Sequence, residues 1–202
     1  MTIEGDMMET IDTFFQRAAV SPLTGEKSSI LVQTFWIVVF AALTALGAQV
    51  EIPHQPVPYT LQTFFVLLGA AFLGSRNGSL SQLLYLGIGM AGAPVFSGGS
   101  FGFARMIGPS GGYLLSFPIA SLLVGYLVQL RTGFLWTLVG MFLGLVVIFA
   151  CGATFLDLFY LHNVKVSLVN GFLIFSWWDM LKLSAAAGIY NEFAKKYKKL
   201  PA

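Results

Sequence analysis

Charged side chains divide this chain into long uncharged runs. None falls between Lys27 and Glu51, between Glu51 and Arg76, between Arg76 and Arg105, between Arg105 and Arg131, or between Arg131 and Asp157. Soluble domains carry roughly 25% charged residues; here the figure is 10%, with 56% hydrophobic, too little polar material to solvate a globular surface. In lipid, every backbone amide must find its partner inside the protein, and helices do this segment by segment. The expectation is an all-α membrane protein with six transmembrane helices.

The punctuation places them at about Ser29–Gln49, Pro58–Leu73, Ser79–Gly92, Gly112–Leu130, Phe134–Leu156 and Leu168–Tyr190. A bilayer core takes about 20 apolar residues per helix; all but the third are read as meeting this. Prolines 53, 56 and 58 make the first loop rigid, because proline cannot donate to a helix or a sheet. Ser75-Arg76-Asn77-Gly78 reads as a polar turn, and Pro118 as a kink in the fourth helix. Residues 28–191 form the membrane domain, preceded by a segment, 1–27, and followed by a basic tail, 192–202. Met7, Ile11, Phe14, Phe15 and Ala18 share one helical face, as an interfacial amphipathic helix would; a disordered tail is the plain alternative. The acidic first 27 residues lack a basic region leading into an apolar core, so no cleavable signal is expected.

Lysines and arginines orient the helices. With both termini cytoplasmic, Arg17, Lys27, Arg76, Arg131 and tail lysines 195, 196, 198 and 199 face inside, while Arg105 and Lys165 face outside. That is eight against two, so both termini are assigned to the cytoplasm.

Asp179 and Lys182 lie inside the sixth helix, three residues apart and so on one face. Each charge deep in a helix costs roughly 2.5–3.5 kcal/mol on insertion scales. They either neutralise each other and pin helix packing, or line a ligand path. A carboxylate only accepts hydrogen bonds and an ammonium only donates; together they suit a ligand with N–H donors and an anionic group. The glycine-rich segment from Gly98 to Gly112 is assigned to the same side, and contains Ser100 and Arg105; the arginine either meets an anion or is solvated. Thr60, Gln62 and Thr63 stand at the mouth of the second helix, with Gln62 the more versatile contact because it both donates and accepts. Tyr113 opens the fourth helix. Ala41, Ala45 and Ala48 form a stripe of small residues that lets another helix approach, within the chain or from a partner.

Other chemistries have little to stand on. Cys151 is the single cysteine and sits in an apolar run; His54 and His162 stand in different loops; HExxH, GxSxG and GxxxxGK[ST] are absent. An intramembrane acid–base enzyme built on Asp179 and Lys182 would lack a nucleophile. A proton-coupled secondary carrier of a small anionic vitamin-like solute is the second reading, but the inverted repeats that would support it are not evident.

The run VPYTLQTFFVLLGAAFLGSRNGSLSQLLYLGIGMAGAPVF, followed by GG and by GPSGGYLLSFPIASLLVG, spans Val57 to Gly125. Its ordered motifs resemble the BioY family of bacterial biotin transporters, the substrate-binding (S) components of energy-coupling factor (ECF) transporters. Asp179-x-x-Lys182 matches the family's D-x-x-K. The resemblance fades over the first 27 residues and the fifth helix. It implies a six-helix S-component fold in the bacterial cytoplasmic membrane and biotin bound near the outer face. It also implies biotin contacts at Asp179 and Lys182, and a coupling (T) subunit docked on the small-residue stripe at Ala41 and Ala45. ABC-type ATPase subunits would supply the power. No enzymatic activity, cofactor or metal is expected; biotin is the transported ligand. Gln62, Ser100, Arg105 and Tyr113 join the pocket by position.

Overall fold

The structure is a computed structural model that describes residues 30–131, 133–171 and 177–196. The expected amphipathic helix, the rest of the 1–27 segment and tail residues 197–202 lie outside the described residues.

Helix α1 spans Ile30–Gln49. A two-residue hairpin follows, β1 Glu51–Ile52 against β2 Tyr59–Thr60, with Glu51 opposite Thr60. The proline-rich loop is therefore the turn of a small antiparallel ribbon. Helix α2, Gln62–Met90, is interrupted at Gly74, where φ is 74° and ψ −178°. A short 3-10 turn, Ser97–Gly99, leads to α3, Phe103–Ile107. Then come α4, Gly111–Leu130, and α5, Phe134–Leu156, which runs on into a π-helical turn at Asp157–Leu161. Helices α6, Val164–Gly171, and α7, Trp177–Lys196, complete the described chain.

The break at Gly74 is a reversal of direction. A Cβ built on Gly78 would stand 2.9 Å from Ala70 Cα. In a continuous helix eight residues rise about 12 Å. Gln62 and Tyr85, further out on the two arms, are hydrogen-bonded to each other. The arms 62–73 and 75–90 thus pack antiparallel, and a single glycine at positive φ turns the corner, a conformation that other residues avoid. Gly125 of α4 lets that corner come close: a Cβ there would lie 2.3 Å from Ser75 N.

Side-chain bonds collect several termini at the Gly74 end. Ser75 donates to Gln129 near the end of α4, and Asn77 donates to Gln33 in the first turn of α1. Phe72 packs edge-on against Tyr190 and Phe193 in the last turns of α7. Arg76, Arg131, the start of α1 and the end of α7 therefore share one end of the molecule.

Helix α4 is central, packed between α2 and α5. Val66, Leu67, Val124, Leu145 and Ile148 are almost wholly buried there. Leu46, Ile119, Leu122, Leu135 and Val139 face outward, so the helices are apolar on both sides, as a lipid-facing bundle must be. Among the described residues, three spans are long and apolar enough to cross a bilayer: Ile30–Gln49, Gly111–Leu130 and Phe134–Leu161. The chain is a mostly helical membrane protein.

Several sequence boundaries move. Residues Ser75–Gly78, read as a turn, are already helical, and the corner is Gly74 alone. The 62–73 arm is about 18 Å long, shorter than the span read for it. Pro118 lies inside α4 without ending it. The loop read after the fifth helix is largely helical, as the π turn and α6. The sixth predicted span is divided between α6 and α7, with 172–176 outside the described residues.

Candidate functional site

A partly open cavity lies at the end of the bundle opposite Gly74. Eight elements wall it. Strand β2 gives Tyr59 and Thr60, and the first turn of α2 gives Gln62 and Thr63. The 3-10 turn gives Ser97, and α3 gives Arg105. Ser110 and Tyr113 come from the start of α4, Phe149 from α5, Asn170 from α6, and Asp179 and Lys182 from α7.

Asp179 and Lys182 are 2% and 5% exposed, with Lys182 Nζ 2.6 Å from Asp179 Oδ1. Their three-residue spacing on α7 brings the two heads together. The ammonium also donates to Thr60 O at 2.9 Å and Thr63 Oγ1 at 2.8 Å. An ammonium has three N–H donors, and here all three are engaged. The two readings of the pair are therefore not exclusive, since it neutralises itself and also lines the cavity. Lys182 additionally ties α7 to β2 and to α2.

Gln62 is buried. Its Nε2 donates to Tyr85 Oη at 2.6 Å, and its Oε1 accepts from Thr60 Oγ1 at 2.8 Å. Tyr85 Oη in turn donates to Val95 O. The Gln62 amide is thus oriented from both ends by protein groups. The chain of bonds from Val95 through Tyr85, Gln62 and Thr60 ends on Lys182.

Arg105 lines the cavity and donates from Nη2 to Ser97 Oγ at 2.7 Å. Among the described residues it forms no salt bridge. Tyr113 is also in the wall, but its hydroxyl donates to Gly171 O at 2.7 Å, so its ring is what it presents. That ring lies against Gly152, where a Cβ would be 2.2 Å away, and is edge-on to Phe149.

Five of the six expected pocket residues are brought together: Gln62, Arg105, Tyr113, Asp179 and Lys182. Ser100 is not. Its Oγ donates to Ser97 O at 2.7 Å, bracing the 3-10 turn, and Ser97 takes the place in the wall. Tyr59, Ser97, Ser110 and Asn170 were not anticipated. Asn170 had a signal, as a lone amide in an apolar stretch. Burial, and then the Asp179 carboxylate, push the Tyr59 phenol above its usual range, so it stays protonated and able to donate.

The stripe on α1 is corrected. Ala41 is 3% exposed and belongs to the chain's own core, and Ala45 is partly buried against that core. The outward positions beside them are Val38, Ala42 and Leu46.

Comparison with known proteins gives consistent results. The model of the BioY family matches residues 19–199. A protein of Thermotoga maritima named biotin transporter BioY is 40% identical over 162 residues, covering 80% of this chain and 93% of its own length. A probable biotin transporter BioY of Pyrococcus horikoshii is 40% identical over 150 residues, covering 74% and 88%. The crystal structure of an S-component for biotin from an ECF-type ABC transporter superposes with a TM-score of 0.76 at 22% identity, covering 85% of this chain and 96% of that one. At that identity the match speaks to the fold.

Proposed function

The chain belongs to the BioY family, and on that premise we propose that it captures biotin for uptake across the cytoplasmic membrane, as the substrate-specific component of an ECF transporter. The observation that carries this reading is the buried Asp179–Lys182 pair, in the wall of a cavity that also holds Arg105. Asp179 and Lys182 cancel, which leaves the positive charge of Arg105. Biotin offers the complement: a neutral ureido ring with two N–H donors, and a valerate carboxylate. Asp179 accepts from the ureido, and Arg105 balances the carboxylate. Lys182 holds Asp179 in place from Thr60 and Thr63. Gln62 and the Tyr113 ring shape the wall, while Ser100 acts through the turn that carries Ser97.

The GxxxxGK[ST] loop of an ATPase is absent from the sequence. The work of uptake is therefore assigned to a coupling subunit and ABC-type ATPase subunits. Ala45 remains the proposed point of contact, with Ala42 and Leu46 facing outward beside it on α1. Counting the two arms of α2 separately gives six membrane helices: α1, the two arms, α4, α5 and α7. The cytoplasmic placement of both termini is supported by the shared end that gathers Arg76, Arg131 and the last turn of α7, opposite the cavity.

Calorimetric titration of the purified chain with biotin tests this reading, beside Asp179→Asn and Lys182→Ala. Wild type binds and both variants bind more weakly. A wild-type protein that takes no biotin would sink the proposal. In proteoliposomes holding this chain alone, biotin uptake driven by a proton gradient would favour the carrier reading instead.

A further inference from the structure

Ser110 is the residue just before α4, the usual position for a side chain that caps a helix by accepting from an amide one turn on. It makes no such bond. Its Oγ is shielded from solvent, and no group among the described residues hydrogen-bonds it. Two other buried polar atoms share that condition, Gln82 Oε1 and Ser121 Oγ, but neither residue lines the cavity, whereas Ser110 does. A buried hydroxyl without a partner is destabilising, and because Ser110 belongs to the cavity wall, a turn of its side chain toward a bound ligand would supply that partner.

The neighbouring chemistry selects which part of the ligand that is. Ser110 follows α3 by three residues and is tied to it by two tight turns, Gly108 N to Arg105 O and Gly111 N to Gly108 O. The segment 105–110 therefore contributes both Arg105 and Ser110 to the wall of the same cavity. Both can donate to a carboxylate oxygen. The Asp179–Lys182 pair, by contrast, is neutral overall, so an anionic group is directed to the Arg105 side. We infer that Ser110 is a specificity-determining residue whose hydroxyl donates to the carboxylate of the bound ligand beside Arg105.

This inference rests on the biotin reading, and the test separates the two. Ser110→Ala is compared with wild type by calorimetry, using biotin and an analogue whose side chain ends in a methyl group. Ligand-free melting temperatures are measured alongside. Biotin affinity falls about tenfold, equivalent to 1.4 kcal/mol, while affinity for the methyl analogue is unchanged. The ligand-free variant melts no lower than wild type, because the substitution removes an unpartnered hydroxyl; a structural role would lower it. Equal biotin affinity in the two proteins overturns the inference and leaves the biotin reading standing. So does a loss shared by both ligands together with a lower melting temperature. Wild type that binds no biotin overturns both.

Discussion

The Asp179–Lys182 pair permits a prediction in which stability and binding move apart. Removing one member of a buried ion pair strands the other charge and costs about 3–5 kcal/mol. Asp179→Leu and Lys182→Met should each cost about that much, because both heads are nearly inaccessible and 2.6 Å apart. Additive losses would put the double variant about 6–10 kcal/mol below wild type. The structure argues otherwise. Replacing both members with apolar residues strands no charge, which is often neutral. What remains is the loss of the Lys182 bonds to Thr60 O and Thr63 Oγ1, about 1–3 kcal/mol for a buried acceptor left unmade. The double variant should therefore be more stable than either single one. Denaturant unfolding of the four proteins in mild detergent closes the cycle, and biotin titration of the same samples gives the contrast. Binding should be lost in all three variants, including the one whose stability recovers. A double variant as unstable as the sum of the singles would refute the ion-pair reasoning.

Three further outcomes follow from the site. Gly152→Ala places a methyl 2.2 Å from the Tyr113 ring, and overpacking of this kind costs about 1–3 kcal/mol; a lower melting temperature with weaker biotin binding is expected, and an unchanged melt would contradict the slot. Tyr85→Phe deletes the acceptor of Gln62 and the donor to Val95 O, about 1 kcal/mol per bond; calorimetry should read several-fold weaker biotin binding through the loosened Gln62 amide. The raised pKa of Tyr59 means the fold favours its neutral phenol, so that contribution is present below pH 10 and is lost as pH rises through the folded value. Thermal melts between pH 9 and 11 should fall less steeply for Tyr59→Phe than for wild type, and parallel curves would discount the burial of that phenol.

Much of the scaffold could be read from the chain alone, and particular residues show why. Helices α1, α4 and α5 were placed to within a residue because each is an uninterrupted apolar run bounded by charge or glycine. The reversal between the arms of α2 was expected but displaced: composition pointed to the polar Ser75–Gly78, whereas turning the backbone needs only one residue at positive φ, Gly74. The charged pair was evident because charge inside an apolar helix is costly wherever the helix goes. The neighbours that give the pair its setting were not evident. The Tyr85–Gln62 bond joins residues 23 apart across the reversal, and nothing local marks them as partners. Ser97 and Ser100 are equivalent in composition; only the path of the 3-10 turn decides which one faces the cavity. The small residues of α1 were visible as a stripe, but a stripe does not state what covers it, and for Ala41 the cover is the chain itself.

The shortness of the first arm of α2 sets a transport distance. Twelve residues rise about 18 Å from Gly74 to Gln62, and Lys182 is bonded at that level to Thr60 and Thr63. A bilayer core is about 30 Å thick. With the Gly74 corner at one face of the membrane, the charged pair stands little more than halfway across, and the ribbon and the 91–110 segment occupy the remaining depth. Non-helical backbone is tolerated at such depth only where protein or water covers it. A captured molecule would already have crossed close to half of the hydrophobic barrier before any energy was spent. What stays shut beneath it is a plug one short helical arm thick.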